Sequence, residues 1–171
     1  MRRNLPFIAA FALALLVVLA MSMFTVDQRR FAIVFQLGEI KDVITEPGLN
    51  FKWPLIQNVR TFDKRILTYD AAEPERFITS EKKPVLVDAF VKWRIIDVRQ
   101  YYISVQGDEA LASTRLAQTV NGGLRDEFSK RSVHDVVSGE REQIMEAVRT
   151  KADADARAIG VQIVDVRLKR V

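Results

Sequence analysis

An uncharged apolar run, LPFIAAFALALLVVLAMSMF, occupies Leu5–Phe24 near the start of the chain. A helix rises about 1.5 Å per residue, so a run of this length extends over roughly 30 Å, the thickness of a bilayer's hydrocarbon core. The run therefore predicts a transmembrane helix over residues 5–24 that acts as a signal anchor. Its expected membrane-spanning side chains are Leu5, Phe7, Phe11, Leu15, Leu16, Leu19 and Phe24.

A cleaved secretory signal is the alternative interpretation of the same run. Arg2 and Arg3 form a basic start, and Ala20-Met21-Ser22 has the small residues of a cleavage site. Both interpretations export the rest of the chain. The basic residues on the two sides of the run are similar in number and do not decide its orientation in the membrane. The short tail, residues 1–4, is most simply left in the cytoplasm while residues 25–171 cross the membrane.

Charge and composition exclude several classes of function. The net charge is +4, and basic and acidic residues are interspersed rather than grouped in blocks, so the sequence lacks the basic patch of a nucleic-acid-binding protein. The chain has no cysteine. Disulfides, thiolate nucleophiles and cysteine-based zinc sites are therefore excluded.

Strand signals fill the first part of the exported region. Val85–Ile95 has an apolar residue at every odd position, which predicts a main strand with one buried face. The turn Glu81–Pro84 connects it to a preceding short strand. Other strands are expected at Phe31–Leu37, Lys41–Ile44, within Val59–Tyr69, and at Val161–Leu168 with Val164, Val166 and Leu168 on one face.

Helical patterns follow from Asp108 onward. Asp108 is expected to cap a helix whose apolar stripe includes Leu111 and ends at Phe128, with a bend or close approach at Gly122-Gly123. Ser132–Asp135 has capping-box spacing, and a second helix is expected over residues 139–159, stopped by Gly160. Strands, then helices, then a strand predict an α+β fold.

The loop Leu49–Ile56 is apolar and aromatic, and its Pro54 excludes a central strand. One interpretation places Phe51 and Trp53 in the membrane interface beside the anchor, where Arg29 and Arg30 would meet lipid phosphates. The alternative is a loop folded over the core of its own domain. Both interpretations stay open at this stage.

Catalytic groups are scarce. The one histidine, His134, stands in a helix-cap neighbourhood that explains it better than a role as general base. No nucleophile elbow, phosphate-binding loop or metal-ligand motif occurs, and the carboxylates of the second helix are typical of a solvated surface. We expect no catalytic, cofactor-binding or metal-binding residues, although a membrane-bound hydrolase stays the least favoured alternative.

Several stretches together resemble the SPFH, or band 7, family, which includes stomatins, prohibitins and flotillins. The most specific is RFITSEKKPVLVDAFVKWRIIDVRQYY at Arg76–Tyr102, which is similar to the bacterial branch whose members act with HflK. The others are EPGLNFKWPLIQNV at Glu46–Val59, HDVVSGEREQI at His134–Ile144 and IGVQIVDVRLKRV at Ile159–Val171.

This resemblance implies an N-terminal transmembrane helix followed by an SPFH domain over residues 25–171. It implies a single-pass protein of the bacterial inner membrane, with its domain in the periplasm, that forms hetero-oligomers with an HflK-like protein and modulates the protease FtsH without catalysis. Family members continue into long C-terminal helices, whereas this sequence stops at Val171, which implies a fragment or an early-terminating form. A stomatin-like, self-associating organiser of membrane lipid is the alternative function.

Overall fold

A computed structural model describes residues 5–71, 74–136 and 141–170, and its helices and antiparallel sheets confirm the α+β class. The chain divides into two compact units, Met1–Asp63 (unit 1) and Lys64–Val171 (unit 2). The division falls inside the stretch Val59–Tyr69, where the sequence predicted a strand. Two strands occupy that stretch, and the polar residues Lys64 and Arg65 separate them.

Unit 1 contains one helix and two small antiparallel sheets. One sheet has two strands and the other has three, in the spatial order Glu39–Ile44, Arg30–Gln36, Gln57–Asp63. The elements are α1 (Leu5–Ser22), β1 (Met23–Val26), β2 (Arg30–Gln36), β3 (Glu39–Ile44), β4 (Gly48–Phe51) and β5 (Gln57–Asp63), with β1 paired to β4.

The helix α1 ends at Ser22, two residues before the end of the predicted span. Ser22 is tied to the far end of β4, because its carbonyl oxygen accepts the Lys52 N–H at 2.8 Å and its hydroxyl donates to the Lys52 carbonyl at 2.7 Å. Met23 and Phe24 leave the helix and pair with Phe51 and Asn50. Within the described part of the chain, none of the helices combines the length and the apolar character needed to traverse a bilayer.

The core of unit 1 is centred on β2. All five residues of Phe31–Phe35 are buried, as expected for a strand with neighbours on both edges and cover on both faces. The strands predicted at Phe31–Leu37 and Lys41–Ile44 are confirmed as β2 and β3, and they pair as an antiparallel hairpin. Its two-residue turn is Leu37-Gly38, and both residues have positive φ (53° and 93°), the geometry that suits the twist of a tight hairpin.

Unit 2 is organised around one long strand, β8 (Pro84–Ile95). Its predicted alternation is confirmed over Val91–Ile95, where Val91, Trp93 and Ile95 are buried and Lys92 and Arg94 are exposed. Further toward the start of the strand Val87 is buried, but Val85 and Ala89 of the predicted face are only half-buried, and the pairing with the last strand shifts register between Asp88 and Ala89. Strand β8 pairs antiparallel with each of the remaining strands described in this unit, which are β6 (Leu67–Asp70), β7 (Glu75–Ile78) and β9 (Val161–Arg170).

The predicted face of the last strand is wrong at Val164. In the pairing with β8, Trp93 faces Ile163 but Lys92 faces Asp165, so Val164 is an extra residue in a bulge. Before the bulge Val161 and Ile163 are buried, and after it Val166 and Leu168 are buried. A strict alternation cannot pass through a bulge, and Val164 is therefore only half-buried.

The described residues of unit 2 also form the helices α2 (Val98–Val105), α3 (Glu109–Phe128) and α4 (Arg141–Arg157). The predicted cap of α3 is confirmed, because Asp108 Oδ1 accepts the N–H groups of Ala110 and Leu111. The prediction for Leu111 is wrong, since its side chain is 41% exposed at the solvent edge of the first turn. Helix α4 packs on both α3 and β9.

The sequence also predicted the features on either side of α4, a capping box before it and a glycine after it. Ser132 and Asp135 form the expected capping box: Ser132 Oγ donates to Asp135 Oδ2 at 2.7 Å, and Asp135 N–H donates back to Ser132 Oγ at 3.3 Å. Gly160, with φ of +78°, follows the last helical turn as predicted. The first residues of the predicted second helix, 139–140, lie outside the described part of the chain.

Candidate functional site

The aromatic loop after β4 is exposed. Phe51 and Trp53 have 67% and 71% of their surface accessible, so the interpretation in which they cover the core does not describe them. Burying large apolar side chains is worth about 1.5–3 kcal/mol each, so leaving several of them in water is unfavourable unless another surface receives them. Exposed neighbours on the same segment are Leu49, Leu55 and Ile56.

The structure brings this loop against the end of α1. Phe51, Trp53 and Pro54 line one side of an open groove of about 380 Å³, and residues of the last two turns of α1 line the other. The helix residues are Leu15, Val18, Leu19 and Ser22. The groove contains one charged residue, Lys52, whose side chain is half-buried.

Hydrogen bonds hold the loop in one conformation. The Trp53 N–H donates to Gln57 Oε1 at 2.8 Å, and the Gln57 N–H donates to the Trp53 carbonyl at 3.0 Å. These two bonds close a short turn over Trp53–Gln57. Leu55 lies at its tip with φ of +72° and is 97% exposed. The loop therefore presents its apolar side chains from a fixed backbone.

Sequence reasoning did not single out Leu55 or the hairpin residue Leu37, which is 86% exposed. Leucine is typical of helices and strands. No sequence pattern identifies a leucine that adopts the left-handed conformation, as Leu37 and Leu55 do. The available signal was their position beside turn residues, in Leu37-Gly38 and Pro54-Leu55.

Arg29 and Arg30 are not brought together with Phe51 and Trp53. They belong to a turn in which Asp27 accepts the Arg29 N–H through its carboxylate and the Arg30 N–H through its carbonyl. Arg30 pairs with Asp63 at the start of β2, whereas the aromatic loop enters the sheet at Gln57, opposite Gln36 at the end of β2. At about 3.3 Å per residue, these ends are roughly 20 Å apart.

The predicted membrane-spanning residues fall into three groups. Leu15, Leu16 and Leu19 are exposed on α1. Phe24 is in β1 rather than in the helix, because the strand pairing with β4 begins at Met23. The side chains of Leu5, Phe7 and Phe11 lie outside the described part of the structure.

The described residues offer few groups that are arranged for catalysis. His134 is exposed on the turn bracketed by the Ser132–Asp135 box. Hydrogen bonds from Ser132 hold the pKa of the Asp135 carboxyl below its usual range, so this carboxylate acts as a helix cap. Over residues 5–71, 74–136 and 141–170, no three histidine, aspartate or glutamate side chains are grouped as metal ligands.

Comparison with known proteins gives a consistent result. The family model described as "SPFH domain / Band 7 family" matches residues 24–171. "Protein HflC" of Haemophilus influenzae is 42% identical over 147 residues, 83% of this chain and 49% of that protein. "Protein HflC" of Vibrio cholerae is 36% identical over 90% of this chain and 58% of that protein.

A third relative has a more informative name. "Modulator of FtsH protease HflC" of Escherichia coli K12 is 36% identical over 149 residues, which are 83% of this chain and 44% of that protein. The chain thus spans about half the length of the curated relatives it matches.

Proposed function

Since the chain belongs to the SPFH domain / band 7 family, we propose that it acts as a non-enzymatic scaffold that modulates the membrane protease FtsH. The observation that carries the proposal is its similarity to the FtsH modulator of Escherichia coli over 83% of this chain. Regulation by contact needs a shaped surface rather than a reactive centre.

The proposal includes a membrane anchor formed by residues 5–24. The absence of charge over this stretch supports it, and so does the helical conformation of Leu5–Ser22. Residues 1–4 would stay in the cytoplasm and residues 25–171 would lie in the periplasm of a bacterial inner-membrane protein. Phe51 and Trp53 would then meet the interfacial region, where tryptophan rings are favoured, and Arg29 and Arg30 would lie further from the bilayer.

The expected protein partners are FtsH and an HflK-like subunit, in a hetero-oligomer. The test is co-purification of both from detergent-solubilised membranes with an affinity-tagged form of this chain. Degradation of an FtsH membrane substrate should also change when the chain is added. Recovery of FtsH and the HflK-like protein supports the proposal.

Recovery of neither protein, together with an unchanged rate of degradation, would overturn the proposal. Homo-oligomers that form without the HflK-like protein would favour the stomatin-like organiser instead.

A further inference from the structure

The hairpin of β7 and β8 in unit 2 carries exposed apolar side chains on one face. In the register of the two strands, Ile78 pairs with Pro84 and Arg76 pairs with Leu86. These four residues share a face, because side chains alternate along a strand and Phe77 is buried against α3 on the opposite face. Ile78 and Leu86 are 59% and 58% exposed. We call the four residues the hairpin platform.

Hydrogen bonds fix the turn at the tip of this hairpin. The Thr79 N–H and hydroxyl both donate to the Lys83 carbonyl, each at 3.1 Å, and the Lys82 N–H donates to the Thr79 carbonyl at 2.9 Å. Ser80 ties the turn to the segment after α3, because its N–H and its hydroxyl donate to the Arg131 carbonyl at 3.0 and 2.7 Å. The platform is therefore presented from a backbone that needs no further ordering when a partner binds.

The exposed charges at the platform are mainly positive. Arg76 belongs to the platform, and Lys82 and Lys83 lie in the turn beside it. Glu81 is the carboxylate of the turn, and it forms an ion pair with Lys83 at 2.8 Å. Asp88, the next residue of β8 beyond Leu86 on this face, is half-buried, and its Oδ1 is fully enclosed. The exposed groups are thus three cations and one carboxylate, which favours a partner with negative charge.

The dimensions of the platform suit a helix. Adjacent strands lie about 4.8 Å apart, so a helix of roughly 10 Å diameter covers both β7 and β8. The apolar stripe of such a helix would bury Ile78, Pro84 and Leu86 and so remove large apolar side chains from water. Carboxylates beside the stripe would lie near Arg76 and Lys82, whereas a basic helix of the same shape would bring like charges together.

We propose that the hairpin platform binds an amphipathic helix with acidic margins from a partner protein. This inference goes beyond the proposed function, because it concerns residues of unit 2 and depends neither on the anchor nor on the identity of the protease. A synthetic helix can therefore test it whether or not FtsH is recovered with the chain.

A photo-crosslinking amino acid in place of Leu86 provides the test, in the full chain purified in detergent. The probes are two synthetic helices of about 18 residues that share a leucine stripe and carry either glutamates or lysines beside it. The matched control has the crosslinker in place of Ile103, which is 60% exposed on α2 of the same unit. The charge variants are Arg76→Glu and Lys82→Glu, and thermal unfolding checks that each protein is folded.

We expect the glutamate helix to crosslink to position 86 in severalfold higher yield than the lysine helix, and in severalfold higher yield than it does to position 103. Both charge variants and high salt should lower that yield severalfold. Equal yields for the two helices, or for the two positions, would overturn the proposal.

Crosslinked dimers of the chain that the glutamate helix does not displace would assign the platform to a second copy and would also overturn the proposal. If Arg76→Glu unfolds the protein, Lys82→Glu decides the result, because Lys82 lies in the turn outside the strand pairing.

Discussion

Gly123 on α3 lies so close to Val148 on α4 that a Cβ added to the glycine would be 3.3 Å from Val148 Cγ1. Val148 is fully buried and has little space to move away. The adjacent Gly122 is different, since an added Cβ there would meet nothing within 4 Å. Two consecutive glycines of one helix thus have opposite roles: one permits close helix packing, and the other only costs helix stability.

This difference predicts opposite effects of two alanine substitutions. Gly122→Ala should stabilise unit 2 by about 0.5–1 kcal/mol, because alanine restricts the unfolded chain and favours the helix. Gly123→Ala gains the same propensity but must push Val148 aside, so we expect it to be at least about 1 kcal/mol less stable than Gly122→Ala. Urea unfolding followed by tryptophan fluorescence, to which the buried Trp93 of unit 2 contributes, measures both. Equal stability of the two variants would contradict the proposed packing role of Gly123.

Gly160 is expected to tolerate no side chain. An added Cβ would lie 2.3 Å from the Asp97 carbonyl oxygen and 2.6 Å from the Tyr101 nitrogen, and φ is +78°. Gly160→Ala should therefore destabilise unit 2 by about 3 kcal/mol or more, measured by thermal unfolding. The matched control is Gly38→Ala, where φ is +93° but no atom lies within 4 Å. It should cost only about 1–2 kcal/mol, from backbone strain alone.

The cap of α3 allows a smaller and more specific test. Asp108 Oδ1 accepts the N–H groups of Ala110 at 2.8 Å and Leu111 at 3.2 Å. Asp108→Ala leaves both without this acceptor and should cost about 1 kcal/mol in urea unfolding. Asp108→Asn keeps a side-chain oxygen and should retain most of the stability. If the asparagine variant lost as much as the alanine variant, the cap hydrogen bonds would not be the cause.

Stability at alkaline pH should depend on Tyr101. Burial, with smaller contributions from the carboxylates of Glu109 and Asp108, raises the pKa of its phenol to about 12. An unfolded tyrosine has a pKa near 10, so the unfolded chain releases this proton first. The stabilising contribution is therefore complete below about pH 10 and is lost as the pH rises toward 12.

The corresponding experiment compares the native chain with Tyr101→Phe in urea between pH 9 and 12. The variant keeps a ring against Trp93, whose centroid is 6.3 Å from that of Tyr101, and it should lose less stability with rising pH. The difference in pH dependence should reach on the order of 2 kcal/mol by pH 12. Parallel pH profiles for the two proteins would show that Tyr101 does not cause the alkaline loss.

Elements with a long periodic pattern or a specific terminal residue were predictable from the sequence. The 20-residue helix α3 has both an apolar stripe and a capping aspartate, and the second half of β8, Val91–Ile95, alternates strictly. Helix α2 was missed because its eight residues span barely two turns, too few to establish a period. Its one local signal was Asp97, whose carboxylate accepts the Gln100 N–H at 2.9 Å.

Features that depend on pairing between distant segments were not predictable. Met23 and Phe24 continue the apolar run in sequence, and only their pairing with β4 removes them from the helix. Likewise, the bulge at Val164 exists only in relation to Lys92 and Trp93 of the partner strand. In the candidate site, composition identified Phe51 and Trp53, whereas Leu37 and Leu55 depend on backbone angles that the residue type disfavours.

The position of β8 between early and late strands determines when unit 2 can be completed during synthesis. Residues Phe90–Trp93 pair with β6 on one edge and with β9 on the other, and the Ile95–Val161 pair joins segments separated by α2, α3 and α4. Until Val161 leaves the ribosome, β8 has an open edge that another nascent chain can occupy. The time between translation of β8 and β9 is therefore the interval in which this protein is most exposed to misassembly.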